Sequence, residues 1–173
     1  MEGTKMNRTI VGLVLLDAPH SALNNAGQEA GSRTENAIGV KKIKVAGKEY
    51  PYVSGQAFRY WWRTALINLK SWIPSPITRD AKIAYTAANP ITYEEDDVFG
   101  YMAAKKEGKK DVTLTRASPL KCSPLISVLA GTTNDFGVMS RHEGNPVPYE
   151  YQLYATTLKG IFSLHLEEVG KFY

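Results

Sequence analysis

"VSGQAFRYWWR" (residues 53–63) is the stretch on which the reading of this chain turns. A small-residue step opens a run that carries two tryptophans and two arginines at helical spacing. Arg59 and Arg63 stand four apart and share a face, with Gln56 on the same face one turn earlier. Phe58, Trp62, Leu66 and Leu69 fall on another face, widened by Trp61 and Ala65, and form an apolar arc suited to packing on a sheet. A helix is predicted over residues 55–70, capped by Ser54 and stopped by "IPSP". A helix N-terminus leaves backbone N–H groups unpaired and carries partial positive charge, which makes it an anion site. The cap hydroxyl, those amides and two guanidiniums able to fork onto phosphate oxygens together make a phosphate clamp. On the helix alone, an amphipathic segment with two solvated arginines is the commoner outcome. Tyr60, Trp61 and Trp62 offer base stacking, but tryptophans at this spacing beside a sheet are more often core.

Outward from the helix, "TIVGLVLLDAP" (9–19) is short, β-branched and closed by Asp-Ala-Pro, which predicts a buried strand. Residues 20–42 are rich in Asn, Gly and Ser without apolar periodicity and read as a long loop. That loop brings a second set of donors: Arg33, Asn36, Lys41 and Lys42. Alternation around a Gly-centred turn predicts a hairpin over 42–53. Residues 77–110 mix short helical pieces with "EEDD" (94–97) and end in the lysine-rich turn "KKEGKK". "DVTLTRASPLKCSPLISVL" (111–129) reads as extended chain broken by Ser-Pro steps, "TTNDFGVMSRHEGNPVPYE" (132–150) as loop, and "YQLYATTLKGIFSLHL" (151–166) as a long strand with alternating faces. The order strand, loop, hairpin, helix, further strand opens a split βαβ, ferredoxin-like sheet, a form that commonly binds single-stranded RNA on one face.

Composition fits this. At 173 residues, 43% hydrophobic and 10% aromatic, the chain has the size and make-up of one soluble globular domain. Its net charge of +4 permits an anionic partner, and from Lys41 to Arg63 there are six basic residues against one acidic. The single cysteine, Cys122, excludes intrachain disulfides and zinc knuckles, and a cytoplasmic location is the default. "TIVGLVLL" is too short to span a bilayer and no small-residue cleavage site follows it, so no membrane partner is expected.

"VSGQAFRYWWR" resembles the Ser-x-Gln-x-x-basic-x-x-x-basic signature of the repeating backbone subunit of type I CRISPR Cascade complexes, a RAMP-superfamily protein. Ser54, Gln56, Arg59 and Arg63 fill the pattern. "DDVFGYM" (96–102), "TRASPLKCSPLIS" (115–127) and "DFGVMSRHEGNPVPYEYQLYATTLKGIFSL" (135–164) resemble the DevR-type, type I-B branch. The resemblance runs through nearly all of the chain from Asn7. It implies an α+β fold: a ferredoxin-like, RNA-recognition-type palm with a finger insertion and a thumb loop, in a single domain spanning 1–173. The palm would be 1–76 and 149–173, the finger-like insertion about 77–120 and the thumb about 131–149. Family members are longer; this chain stops at "LEEVGKFY", so the second helix and last strand of such a palm are expected to be lacking.

The resemblance also implies a function. The chain would be a non-catalytic subunit that polymerises along the spacer of the CRISPR guide RNA (crRNA) and presents it for pairing with target DNA. Its partners would be crRNA, target DNA, further copies of itself in a helical filament, and other Cascade subunits. RNA contacts would come from Arg33, Asn36, Lys41, Lys42, Ser54, Gln56, Arg59, Arg63, Arg116, Arg141 and His142. Phe136, Val138 and Met139 of the thumb would press into the guide–target duplex or the next subunit. The arginine stripe would be exposed because the guide backbone lies along it.

No catalytic residue, cofactor or metal site is expected. His20, His142 and His165 are far apart in sequence and lack metal-ligand spacing. Asp17 or Glu35 would serve in the alternative of a type III-like, metal-dependent RAMP endoribonuclease, although Asp17 before Ala-Pro reads as a turn cap. "EEDD" reads as a solvated helix end or the partner of a basic neighbour in a filament. Cys122 reads as a small core residue without a basic partner. A regulatory or assembly protein acting without RNA is a further alternative.

Overall fold

The computed structural model describes residues 8–28, 37–80, 83–107, 110–131, 133–139 and 148–172. They form a mixed α+β fold with two helices and thirteen strands among the described residues. In chain order these are β1 (Thr9–Ser21), β2 (Asn25–Gln28), β3 (Ala37–Val40), β4 (Lys42–Val45), β5 (Lys48–Val53), α1 (Gly55–Lys70), β6 (Thr78–Asp80), β7 (Ile83–Tyr85), α2 (Glu94–Phe99), β8 (Tyr101–Glu107), β9 (Lys110–Arg116), β10 (Leu120–Cys122), β11 (Leu125–Ser127), β12 (Asn134–Met139) and β13 (Pro148–His165). Nine strands share one sheet, in which β13 pairs with β1, β3, β10, β11 and β12. The connectivity β1, α1, β10–β11, β13 is compatible with a ferredoxin-like palm. The residues fall into two compact units.

One unit comprises Leu13–Phe58 and Ser123–Ile161. Here β13 lies antiparallel to β12, from Asn134↔Leu153 to Met139↔Pro148, and parallel to β3 at Glu150↔Ala37 and Tyr151↔Ile38. Further along β13, β11 pairs at Ile126↔Lys159, and β5 adds to β11 at Leu125↔Val53. The predicted hairpin is present: β4 and β5 pair from Lys42↔Pro51 to Val45↔Lys48, closed by Ala46 and Gly47, both at positive φ (48° and 77°) as a two-residue hairpin turn requires. The alternation of β13 is as expected, with Gln152, Tyr154 and Leu158 buried and Ala155 and Lys159 exposed. Val53, Leu125 and Leu158 make the core. Two loop assignments are corrected. β2 and β3 form inside the stretch read as loop, because Gln152 of β13 accepts a hydrogen bond from Val40 and β13 supplies β3's ladder. β12 likewise replaces loop within the stretch expected to be the thumb, because its backbone groups find partners on β13.

The other unit comprises Met1–Gly12, Arg59–Cys122 and Phe162–Tyr173. β10 pairs with the end of β13 from Leu120↔Leu164 to Cys122↔Phe162. Trp62 packs edge-on against Phe162, centroids 4.8 Å apart, and is half-buried rather than in the fully buried core expected of it. β6–β7 and the longer β8–β9 form separate hairpins. Phe99, Ala103 and Leu120 are buried. Leu69, assigned to the packing face of the helix, is instead 78% exposed in its last turn.

β1 corrects a further expectation. It is a strand, but not a buried one: Val11, Leu13 and Leu15, on alternate positions, are all exposed, Leu13 by 66%. Only Ala18 of β1 is buried. Asp17 lies within the strand and is exposed, so it does not cap a turn.

Candidate nucleic-acid interface

The start of α1 is built as its sequence requires. Ser54 Oγ accepts a hydrogen bond from the Ala57 amide (3.2 Å), which makes it the N-cap, and the Ser54 amide donates to Asn24 Oδ1 (2.8 Å). Gln56 is exposed in the first turn. Lys41 is half-buried between β3 and β4, its amide donating to the Asn24 carbonyl and its carbonyl accepting from Tyr52. Lys42 Nζ donates to Thr133 Oγ1 (3.1 Å) and lies 3.8 Å from Glu49 Oε2. Asn24 therefore ties the Lys41 segment and the helix cap together, a role that a polar residue inside an apparent loop did not announce. On β12, Phe136 is 57% exposed, and Val138 and Met139 stand in register with Tyr149 and Pro148. Arg33, Asn36, Arg141, His142 and Glu35 lie outside the described residues.

The arginine stripe is not the solvent-facing row expected. Arg59 donates from one terminal nitrogen to the Leu120 carbonyl (3.1 Å) and from the other to the Phe99 carbonyl. Its guanidinium stands 5.5 Å from the centre of the Phe99 ring. Arg63 lies 5.2 Å from the same ring and pairs through Nε with Glu95 Oε2 at 3.1 Å. A buried carboxylate needs a charge partner, and Glu95 of α2 draws Arg63 inward to meet it, whereas Arg59 is held by backbone carbonyls. Burial lowers the Arg59 pKa, an effect opposed by Cys122 and reinforced by the charge of Arg63. Burial likewise pushes the Cys122 thiol up, against the pull of Arg59. Cys122 thus has a basic neighbour that its sequence surroundings did not reveal, yet remains a thiol rather than a thiolate.

Nor is "EEDD" a solvated helix end. Glu95, Asp96 and Asp97 are all buried, Asp96 to 1% exposure. Glu95 also accepts from the Ser75 amide. Asp96 Oδ2 accepts from Ser75 Oγ (2.9 Å) and from the Asn89 amide (3.0 Å). Asp97 pairs with Arg116 and accepts from the Gly170 amide (2.8 Å). Arg116 is saturated in turn by the carbonyls of Asp97 (3.0 Å), Lys171 (2.8 Å) and Glu168 (2.9 Å). Gly100, at φ 66°, ends α2 where a Cβ would collide with the Arg116 carbonyl, so only glycine lets β9 come this close. The short α2 is therefore an ionic hub for α1, the 71–77 segment, β9 and the C-terminal turns. Among the described residues, no group of three or more His, Cys, Asp or Glu side chains is placed to hold a metal ion.

Of the expected donors, Lys41, Lys42, Ser54 and Gln56 belong to one unit and Arg59, Arg63 and Arg116 to the other. The three arginines have their partners inside the chain. No helix among the described residues is long and apolar enough to cross a membrane.

No curated protein matches the chain. A family model described as the CRISPR-associated negative auto-regulator DevR/Csa2 matches residues 14–145, well over half of the sequence. The match includes α1, the α2 hub and β12. The chain belongs to the DevR/Csa2 family of CRISPR-associated proteins.

Proposed function

We propose that this protein is a non-catalytic guide-RNA-binding backbone subunit of a type I-B Cascade effector. The observation that carries the reading is the family match over residues 14–145. The subunit binds the crRNA spacer through its phosphates, polymerises along it with further copies, and leaves the bases for pairing with target DNA. The capped first turn of α1, with Gln56 exposed and Lys41 and Lys42 in the same unit, supplies the backbone contacts. Arg59, Arg63 and Arg116 act structurally in their own unit, fixing α2 and β9. β12 and the start of β13 form the thumb, with Phe136 at its exposed face.

The test is purification of the chain followed by extraction and sequencing of bound nucleic acid. Spacer-length RNA in stoichiometric amount is the expected result; its absence, with the fold intact, overturns the reading. Incubation of the RNA-bound protein with complementary RNA and magnesium or manganese is expected to give no cleavage, and cleavage at regular spacing moves the protein to the endoribonuclease class. The family's description as a negative auto-regulator favours a second reading in which the protein represses its own expression without guide RNA. An RNA-free protein that lowers expression from its own promoter selects that reading.

A further inference from the structure

Arg116 is fixed too completely to act as a phosphate clamp. Its charge is answered by buried Asp97, and its nitrogens are taken up by the carbonyls of Asp97, Glu168 and Lys171. What it offers instead is a rigid flat surface. The Phe172 ring lies on the guanidinium, 5.0 Å from Cζ to the ring centre, while 43% of Phe172 stays exposed. This pair lines a cavity of about 410 Å³ together with Tyr101, Thr115, Glu168 and Lys171. The volume is within the range of small-ligand sites, roughly 300–1,000 Å³. The lining joins two aromatic rings to a hydroxyl, a carboxylate and an ammonium, and Lys171 is itself paired with Glu167 at 3.3 Å. With Arg116 and Lys171 each answered by a carboxylate and Glu168 adding a negative charge, the cavity offers little attraction for a phosphate. It offers instead a stacking face with donors and acceptors at its edge, which is the complement of a neutral heteroaromatic ring. Because Arg116 is already pinned, stacking on it orders no mobile side chain.

We propose that this cavity seats an unpaired nucleobase of single-stranded RNA, stacked against the Arg116–Phe172 pair. The inference rests on the RNA-binding reading above and adds to it a site for a base, distinct from the phosphate contacts.

The experiment titrates the full-length protein with a labelled single-stranded RNA oligonucleotide and with the same backbone made abasic, following fluorescence anisotropy. Phe172→Ala is expected to weaken binding of the base-bearing RNA about 5- to 150-fold, the range of one lost base–aromatic stack. It should leave abasic RNA unaffected and the salt slope unchanged. Phe172→Trp should keep the affinity, whereas Phe172→Leu, which keeps apolar volume without a π face, should behave like Phe172→Ala. Thermal unfolding of each variant checks the fold, and Phe172→Leu carries the test if Phe172→Ala does not fold. Wild-type protein that binds neither oligonucleotide overturns the RNA-binding reading and this site with it. Wild-type protein that binds RNA, with both Phe172→Ala and Phe172→Leu equal to it, overturns the base site alone. Equal weakening on both oligonucleotides, or loss of a protein partner with RNA affinity intact, overturns it as well, because the cavity is then structural or a protein-docking surface.

Discussion

Arg63 and Glu95 meet at 3.1 Å with Glu95 almost wholly buried, so removing either leaves a charge that the interior cannot solvate. Arg63→Ala is expected to destabilise the protein by roughly 2–4 kcal/mol, below the full range for a buried pair because the arginine side chain is 32% exposed. Urea unfolding reads this directly, and adding Glu95→Gln should recover a good part of the loss, since the stranded carboxylate is then neutral. An Arg63→Ala protein with wild-type stability contradicts the internal role. Loss of RNA from such a variant is no evidence of direct contact unless the fold is shown intact. Cys122 gives a second residue-scale prediction. Burial raises its thiol pKa in the folded state, so the unfolded thiol ionises first as pH rises. The associated stability is complete below about pH 8.5, the ordinary thiol value, and is lost as pH climbs through the folded pKa. Iodoacetamide should accordingly alkylate Cys122 in the native protein more slowly than a free cysteine at pH 8. Alkylation as fast as the free thiol contradicts this. Neither contact was readable in the sequence: nothing local links position 63 to 95 or 59 to 122, and an i, i+4 arginine pair looks the same whether it faces water or a carboxylate.

Elements differ in how much of themselves they state locally. α1 was legible end to end because its cap, its apolar arc and its stop lie within one short stretch, and Ser54 does cap it. β13 was legible by its strict alternation. β2, β3 and β12 were not, since they are short and Asn- or Gly-bearing and take their hydrogen bonds from remote segments, as β3 does from β13. β1 was recognised as a strand but read as buried, because β-branched composition reports pleated structure and says nothing about which face finds a cover. The β12–β13 arm allows a test that separates structure from assembly. Phe136 points an aromatic ring at solvent, 57% exposed, and supports no core among the described residues. Phe136→Ser should therefore shift stability by no more than about 0.5 kcal/mol. If the arm is the thumb, the same change should weaken guide–target complex formation or self-association, measured by light scattering on RNA-loaded protein. A variant that unfolds makes the arm structural, and one that assembles and binds target like wild type removes the thumb assignment.

The charge of the whole chain is distributed in a way that bears on any polyanion. Arg59, Arg63 and Arg116 are turned toward interior acceptors, two of them onto the buried carboxylates of α2. The net charge of +4 must then be expressed mainly through lysines, including Lys44 and Lys48, which are exposed on the β4–β5 hairpin. Lysine is a strongly hydrated point charge that attracts phosphate without reading a base. RNA binding by this chain should thus depend steeply on salt and little on spacer sequence. For single strands, log affinity falls with log salt at a slope of about −0.7 per neutralised phosphate. Lys41→Gln should lower the magnitude of that slope by about 0.7 and weaken all spacers alike, whereas Arg116→Gln should leave the slope unchanged while lowering stability and removing the guanidinium beneath the Phe172 ring. Titrations of scrambled spacers at two or more salt concentrations measure both quantities. A flat salt response, or a preference above about tenfold between scrambled spacers, contradicts binding led by the RNA backbone, because phosphate contacts alone predict uniform affinity along any sequence.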